Sequence, residues 1–312
     1  MKSIVLLGAD GQVGFELRRA LAPLGPLVCA TRRGELAPGL PCERADLADP
    51  AALTALLARH RPRLIVNAAA HTAVDRAEDE ATLAHRVNAA AVGEIGQWAA
   101  QNGAVVLHYS TDYVFGGDAN VPYRETDATA PLGVYGTSKL AGEQALAASG
   151  ADHLILRTAW VYAARGRNFL LSMLRLAAER DELTVVADQQ GAPTPAAVIA
   201  AASAAILARW LPLADEARRA AGGIHHLTCR GHCSWQAFAA AIVARAHAMG
   251  LLPRSTPVRA ITSAEYPTRA ARPQWSVLDL TRVEQTFGLQ LPPWQAGLDL
   301  VLADLAGTRA AS

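Results

Sequence analysis

The chain has 312 residues, 51% of them hydrophobic, and 29 Lys and Arg against 28 Asp and Glu give a net charge of +1; that suits one large or two modest domains with an ample core. The balance gives no electrostatic case for nucleic acid or an acidic membrane, and no stretch approaches the ~20 uninterrupted apolar residues of a membrane span. The opening apolar run is too short for a secretory signal, and four cysteines, at 29, 42, 229 and 233, make no disulfide framework in a chain this long, so a soluble, cytoplasmic protein is expected.

Residues 2–7 read as a first strand. They run into Gly8, Gly11, Gln12, Val13 and Gly14, after which Val13, Leu17, Leu21 and Leu24 recur at helical spacing up to Gly25. Gly8 and Gly11 permit a tight turn and let the backbone approach a pyrophosphate at the helix N-terminus, and Gly14 lets helix and strand pack closely. The glycine spacing alone is weak; its place between strand and helix gives it weight. Residues 27–31 form the second strand. An NAD-selective site carries an acid near its end for the ribose 2′-hydroxyl. This chain has Thr31, Arg32 and Arg33, and two guanidinium groups suit a 2′-phosphate; the plain alternative is a solvated loop. Asp46 and Leu47 follow a short third strand. Asp49 caps a helix over residues 51–60 with Pro50 at its first position. Residues 63–70 are a fourth strand ending in small residues, past which a cofactor backbone can run, and lead into His71, Thr72 and Asp75. A long helix covers about 80–102. Within it Asn88 is either a satisfied core amide or a group behind the site holding water and Lys139.

Residues 104–109 are an apolar run that breaks into Ser110, Thr111 and Asp112. That suits a buried parallel strand delivering polar side chains at its C-terminal end. Tyr135 and Lys139 stand four apart on a helix, so phenol and ammonium share one face. A free tyrosine has a pKa of about 10, and a nearby Lys⁺ favours the phenolate, moving the phenol toward a working range. With Thr111 as a second hydrogen-bonding group, the set suits reduction of a carbonyl or oxidation of an alcohol. Residues 118–134 form a polar loop on the substrate side, and 153–161 a sixth strand with Trp160 near its end. The fold class is α/β, a doubly wound parallel sheet, with a dinucleotide-binding domain over 1–165. Residues 166–312 are mainly a smaller substrate-binding lobe closing over the C-terminal strand ends, with a return strand near 224–229. His225, His226, Cys229, His232 and Cys233 crowd together, but neighbouring strand residues point to opposite faces and the spacing matches no closed zinc site. They read as strand and turn residues.

With these motifs assembled, the chain resembles the extended short-chain dehydrogenase/reductase superfamily and, within it, the dTDP-4-dehydrorhamnose reductase family. GADGQVGFELRRALAPLG, IVNAAAHTAVDRAE, HYSTDYVFGG, ETDATAPLGVYGTSKLAGE, LRTAWVYA, NFLLSMLRLA, DQQGAPT and EYPTRAARP carry the resemblance. It implies a Rossmann fold and reduction of the C4 ketone of dTDP-4-dehydro-L-rhamnose with NADPH or NADH, for cell-surface polysaccharide such as lipopolysaccharide O antigen. Carried over by motif, Tyr135 is the proton donor, Lys139 binds the nicotinamide ribose and tunes Tyr135, and Thr111, Asp112 and Trp160 bind the sugar. Gly11, Gln12 and Val13 hold the pyrophosphate, Asp46 and Leu47 the adenine side, and Ala70, His71, Thr72 and Tyr109 further parts of the cofactor. The resemblance also implies Mg²⁺ at a homodimer contact, with ligands that cannot be placed here. Two departures stand out: Thr31 replaces the expected acid, and Arg269 and Ala271 stand where proline and arginine are more usual. A nucleotide-sugar 4,6-dehydratase or epimerase on the same scaffold is the alternative enzyme. A dehydratase needs an Asp-Glu pair after the central strand, and this chain has Asp112-Tyr113. A non-catalytic regulatory subunit of methionine adenosyltransferase type is the third reading, against which the intact Thr111, Tyr135 and Lys139 stand.

Overall fold

The computed structural model describes residues 3–310; Lys2, read as the start of the first strand, lies outside them. Seven parallel strands make the main sheet: β1 (Ile4–Leu7), β2 (Leu27–Thr31), β3 (Glu43–Arg44), β4 (Leu64–Asn67), β5 (Val105–Thr111), β6 (His153–Thr158) and β7 (Gly223–His226). Their order is β7-β6-β5-β4-β1-β2-β3. The chain therefore starts in the middle, builds outward through β2 and β3, and returns to build the other half from β4.

Alternation along the buried strands feeds two cores. Ile4 and Leu6 join one with Leu17 of helix α1 (Gln12–Ala20) and Ile206 of the Ala-rich helix over 196–210. Val5 and Leu7 join the other with Leu53 of α2 (Pro50–His60) and Ile95 of α3 (Ala91–Asn102). With helices on both faces, the sheet is doubly wound. The helix expected to run to Leu24 stops at Ala20, and Ala22–Leu24 tightens into a 3₁₀ turn. Pro23 lacks an N–H and its ring crowds the carbonyl four residues back. The fourth strand is shorter than expected, Leu64–Asn67. The long helix over 80–102 is interrupted by a wide π turn, Arg86–Ala90, that contains Asn88.

Beyond the sheet, helices over Phe169–Glu179 and Trp235–Ala248, with the helix beginning at Trp294, enclose a separate apolar cluster that includes Leu170, Phe238, Ile242 and Leu298. Leu183–Val186 and Val258–Ile261 pair in parallel beside it. The Ala-rich helix and β7 come from the second half of the chain but pack on or extend the main sheet.

Candidate active site

Ligands bind to open parallel sheets outside the carboxyl ends of the strands, where strand order reverses. Here that point lies between β1 and β4. The sequence-marked residues follow the strand ends: Gly8 after β1, Arg32 after β2, Asp46 after β3, Ala70 and His71 after β4, Thr111 closing β5, and Trp160 after β6.

Gly8 turns the chain with φ +75, and a Cβ there would lie 2.7 Å from the Ala69 nitrogen. A Cβ on Gly14 would fall 2.0 Å from the Gly8 carbonyl oxygen. Both positions exclude side chains, so α1 seats against the turn. Gly11 is its N-cap, no side chain caps it, and no acid occupies its first turn. Its first N–H groups and the dipole remain available to an anion. Gln12 accepts a hydrogen bond at 2.9 Å from Asn168, the N-cap of the Phe169–Glu179 helix, which ties that helix to the glycine turn. Val13 packs on the core behind it.

On the outer edge, Thr31 faces inward. Its hydroxyl accepts from the Gly34 and Glu35 N–H groups and donates to the Glu35 carbonyl. Arg32 and Arg33 are exposed. Asp46 accepts from the Ala48 N–H, stiffening the turn into α2, and Leu47 is buried. Thr72 is exposed, and Ala70 is half-buried.

The centre is tighter. Helix α4 (Val134–Ala148) carries Tyr135 and Lys139 past the end of β5. Tyr135 packs edge-on against Tyr113, 5.6 Å between centroids, and is hydrogen-bonded to Thr111. Burial raises its phenol above the ordinary range, opposed by the Thr111 bond. This corrects the expectation that Lys139 brings the phenol down. Lys139 is buried, and its ammonium donates to the Tyr109 carbonyl at 2.5 Å and lies 3.1 Å from His108 Nε2. Burial lowers Lys139 to about 8, opposed by Glu143 one turn along. Glu143 is held by Arg157 in a fully buried two-point pair at 2.9 and 2.7 Å. Thr111 donates to Asp112 at 3.0 Å and accepts from the Tyr113 N–H. Burial pushes Asp112 up to about 6, opposed by bonds from Ser276 and Thr111. Its second carboxylate oxygen is buried and unpartnered.

Not every marked side chain reaches this centre. The Tyr109 ring is in the sheet core and its hydroxyl donates to Ser203 at 2.7 Å, so only its carbonyl serves the site. His71 bonds Glu80 through Nε2, and Asn88 both accepts from its N–H and donates to its carbonyl. Asn88 also donates to Ser138, so its amide is satisfied by protein partners. Trp160, at φ +47, stacks on Trp235 with centroids 3.5 Å apart and covers Gly191.

Further contacts frame the centre that no sequence motif assigned. Glu78 accepts from the Val134 N–H at 2.9 Å and so caps the Tyr135 helix from 56 residues away. Asp75 receives the Arg272 guanidinium at 2.9 Å, and Asp79 the Arg269 guanidinium at 2.6 Å, strapping residues 269–272 across the site. Only the helix pair at 135 and 139 had a local signal; these contacts join distant segments. Among the described residues no group of three or more His, Cys, Asp or Glu stands together to hold a metal ion. His225 bonds the Ala221 carbonyl and His226 the Asp279 carbonyl, and burial lowers them to about 4 and about 3.

The RmlD substrate binding domain family model matches residues 1–306. The chain is 45% identical over 308 residues, 99% of both chains, to dTDP-4-dehydrorhamnose reductase of Escherichia coli (strain K12). Two similar solved structures are the dTDP-4-dehydrorhamnose reductases of Bacillus anthracis str. Ames, in complex with NADP, and Clostridium acetobutylicum. The first gives a TM-score of 0.84 at 30% identity, the second 0.85 at 31%; each alignment covers 97% of this chain and 99% of the other.

Proposed function

This chain belongs to the dTDP-4-dehydrorhamnose reductase family, and we propose from that premise that it reduces the C4 ketone of dTDP-4-dehydro-L-rhamnose with NADPH or NADH. The product is dTDP-L-rhamnose for cell-surface polysaccharide. The observation that carries this reading is the meeting of Thr111, Tyr135 and Lys139 at the carboxyl end of β5, in a chain alike to reductases over its whole length.

The residues present fit a dinucleotide. The uncapped N-terminus of α1, with Gly11, Gln12 and Val13, suits a pyrophosphate. Asp46 and Leu47 lie toward the adenine, with Arg32 and Arg33 beside them for a 2′-phosphate. Ala70, His71, Thr72 and the Tyr109 carbonyl line the remaining path, and Lys139 takes the nicotinamide ribose. The bound cofactor supplies a hydride to C4. Tyr135 is protonated at neutral pH because burial holds its phenol high, so it stands ready to donate to the C4 oxygen. Thr111 orients the phenol and shares the same oxygen. Asp112, beside Thr111, accepts from a sugar hydroxyl, and Trp160 offers its ring edge to the sugar. Lys139, held by the Tyr109 carbonyl and His108, acts on the ribose rather than on the phenol.

Purified protein mixed with dTDP-4-dehydro-L-rhamnose tests the reading by NAD(P)H absorbance. Stoichiometric oxidation of the cofactor supports reduction. Turnover with no net oxidation indicates an epimerase, and no turnover leaves a binding role. The reading places the protein in the cytoplasm, acting on a small molecule without nucleic acid or membrane. No helix of the described residues is long and apolar enough to cross a membrane. Among the described residues no cluster of three or more His, Cys, Asp or Glu stands ready to hold Mg²⁺, and no step is assigned to the metal. A homodimer holding Mg²⁺ between subunits is tested by sedimentation with and without a chelator; an unchanged monomer in both would discard it.

A further inference from the structure

We propose that Cys29 and Cys42 form a reversible disulfide whose closure weakens NADPH binding. The register of β2 and β3 pairs Ala30 with Glu43 and Thr31 with Arg44, in parallel. One step back along both strands sets Cys29 opposite Cys42. Neighbouring strands lie about 4.8 Å apart, and disulfides span about 4.4–6.8 Å between Cα atoms, so the backbone spacing already suits the bond. The side chains share a face. Cys42 Sγ lies 3.6 Å from Thr31 Oγ1, and Thr31, two residues on, points the same way as Cys29. Both thiols are half-buried and free.

The chain's other two cysteines differ. Cys229 and Cys233 are buried, and burial pushes both thiols up to about 12. They are inert core residues by the rule that reactivity follows the thiolate and its exposure. At the edge, burial raises Cys29, and Arg18 from the last turn of α1 opposes it.

A peroxide supplies the oxidant. The Cys42 thiolate attacks one peroxide oxygen, forming a sulfenic acid and expelling hydroxide. The Cys29 thiolate then attacks that sulfur and expels a second hydroxide. Two thiols lose two electrons and two protons, and the peroxide becomes two waters. Transient bonds of this kind are the ones a reducing compartment tolerates.

The consequence follows from what Cys42 holds. Its N–H donates to the Gly34 carbonyl at 2.9 Å, and its sulfur donates to the Glu43 carbonyl. Gly34 closes the turn that Thr31 organises and that carries Arg32 and Arg33. Drawing the Cys42 sulfur to Cys29 takes it from the Thr31 hydroxyl, the group that accepts from the Gly34 and Glu35 N–H groups and holds that turn. This step rests on the reading of Arg32 and Arg33 as the 2′-phosphate seat.

The test uses the full-length protein, oxidised with hydrogen peroxide and blocked by alkylation. Peptide mapping should show Cys29 joined to Cys42 with loss of two hydrogens, reversed by dithiothreitol. The KM for NADPH should rise about tenfold, the loss of roughly one charge-assisted contact, with kcat and the KM for NADH little changed. Cys29→Ala should keep the reduced enzyme's kinetics and lose both the bond and the shift. Peroxide that leaves Cys42 as a sulfinic acid without the bond overturns the proposal. So does a bond that leaves the NADPH KM unmoved in an enzyme whose Arg32→Ala, Arg33→Ala variant loses NADPH affinity. If that double variant binds NADPH normally while the bond forms, the phosphate seat is wrong and the gating claim falls with it, although the thiol pair is real.

Discussion

The centre around Thr111, Tyr135 and Lys139 and the edge around Arg32 and Arg33, which we propose serve one cofactor, are built on opposite terms. At the centre the buried side chains are tied to one another: Lys139 to Tyr109 and His108, Thr111 to Asp112 and Tyr113, Glu143 to Arg157. Burial has moved Tyr135, Lys139 and Asp112 off their ordinary pKa values. At the edge two arginines stand in water. On the proposed reading the buried constellation is preorganised for rate, whereas exposed charges act on selectivity, at energies that water and salt screen. Substitutions at the centre should therefore be severe and change kcat or stability. Those at the edge should be mild and confined to cofactor choice.

The largest effect is expected at Tyr135. General acid catalysis is worth about 10²–10⁴-fold, and Tyr135→Phe removes the donor with little change in shape. The kcat should fall by about that factor while cofactor affinity stays near wild type. A near-normal kcat would remove Tyr135 from the role and leave the centre a packing unit.

Next is the buried pair beneath Lys139. Glu143→Gln keeps the shape and one acceptor but leaves the Arg157 guanidinium uncompensated, and breaking a buried pair on one side costs about 3–5 kcal/mol. Urea unfolding should show a loss of that order. Glu143 also favours the Lys139 ammonium, so the basic limb of kcat/KM should move to lower pH in the variant. Stability loss with an unmoved limb would make the pair a fold element only.

Asp112 gives a smaller, pH-dependent effect. Its folded value, about 6, lies above the ordinary 3.8, so folding favours the neutral acid. Its contribution to stability is fully present below the ordinary value and is lost as pH rises through the folded one. At neutral pH the cost is about 2–3 kcal/mol, taking 1.36 kcal/mol per unit. Asp112→Asn should thus stabilise the protein near pH 7.5 and do so little near about pH 4. Equal urea midpoint differences at both pH values would mean that the carboxylate is solvated.

Much of the edge was legible in the sequence, because turns and strand ends are local. The glycine spacing, the Asp49 cap and the Thr31-Arg32-Arg33 run need only neighbours to be read. The fold class followed from apolar runs alternating with helical periodicity. The centre was legible only as far as one helix repeats: Tyr135 and Lys139 four apart. The partners of Lys139 lie across β5, 30 and 31 residues away, and Glu78 caps α4 from a loop after β4. No local pattern announces such contacts. The sense of the Tyr135 shift was misjudged for the same reason. Helical spacing brings two Cβ atoms near, but the Lys139 ammonium turns away to a carbonyl, and burial decides the phenol. The π turn at Arg86–Ala90 and the positive φ of Trp160 likewise answer to packing rather than propensity.

The mildest substitutions are Arg32→Ala and Arg33→Ala together. No carboxylate stands after β2 to repel a 2′-phosphate, and the Thr31 hydroxyl is used up within its own turn, so discrimination falls to the two guanidinium groups. An exposed charged contact contributes about 1 kcal/mol or less, while a charge-assisted bond to phosphate runs to about 1.5–3 kcal/mol. The sum for the pair should lie near 1.5–2 kcal/mol, about ten- to thirtyfold in NADPH affinity. NADH lacks the phosphate and should bind the variant as it binds the wild type. Raising the salt concentration should erode the NADPH advantage of the wild type and leave the variant unchanged, because the Debye length shrinks from about 10 Å at 0.1 M to about 3 Å at 1 M. A wild-type enzyme with a strong NADH preference, or a variant that loses both cofactors equally, would mean that the arginines point elsewhere. The edge would then be a scaffold for the turn, and the division of labour with the centre would fail at its outer half.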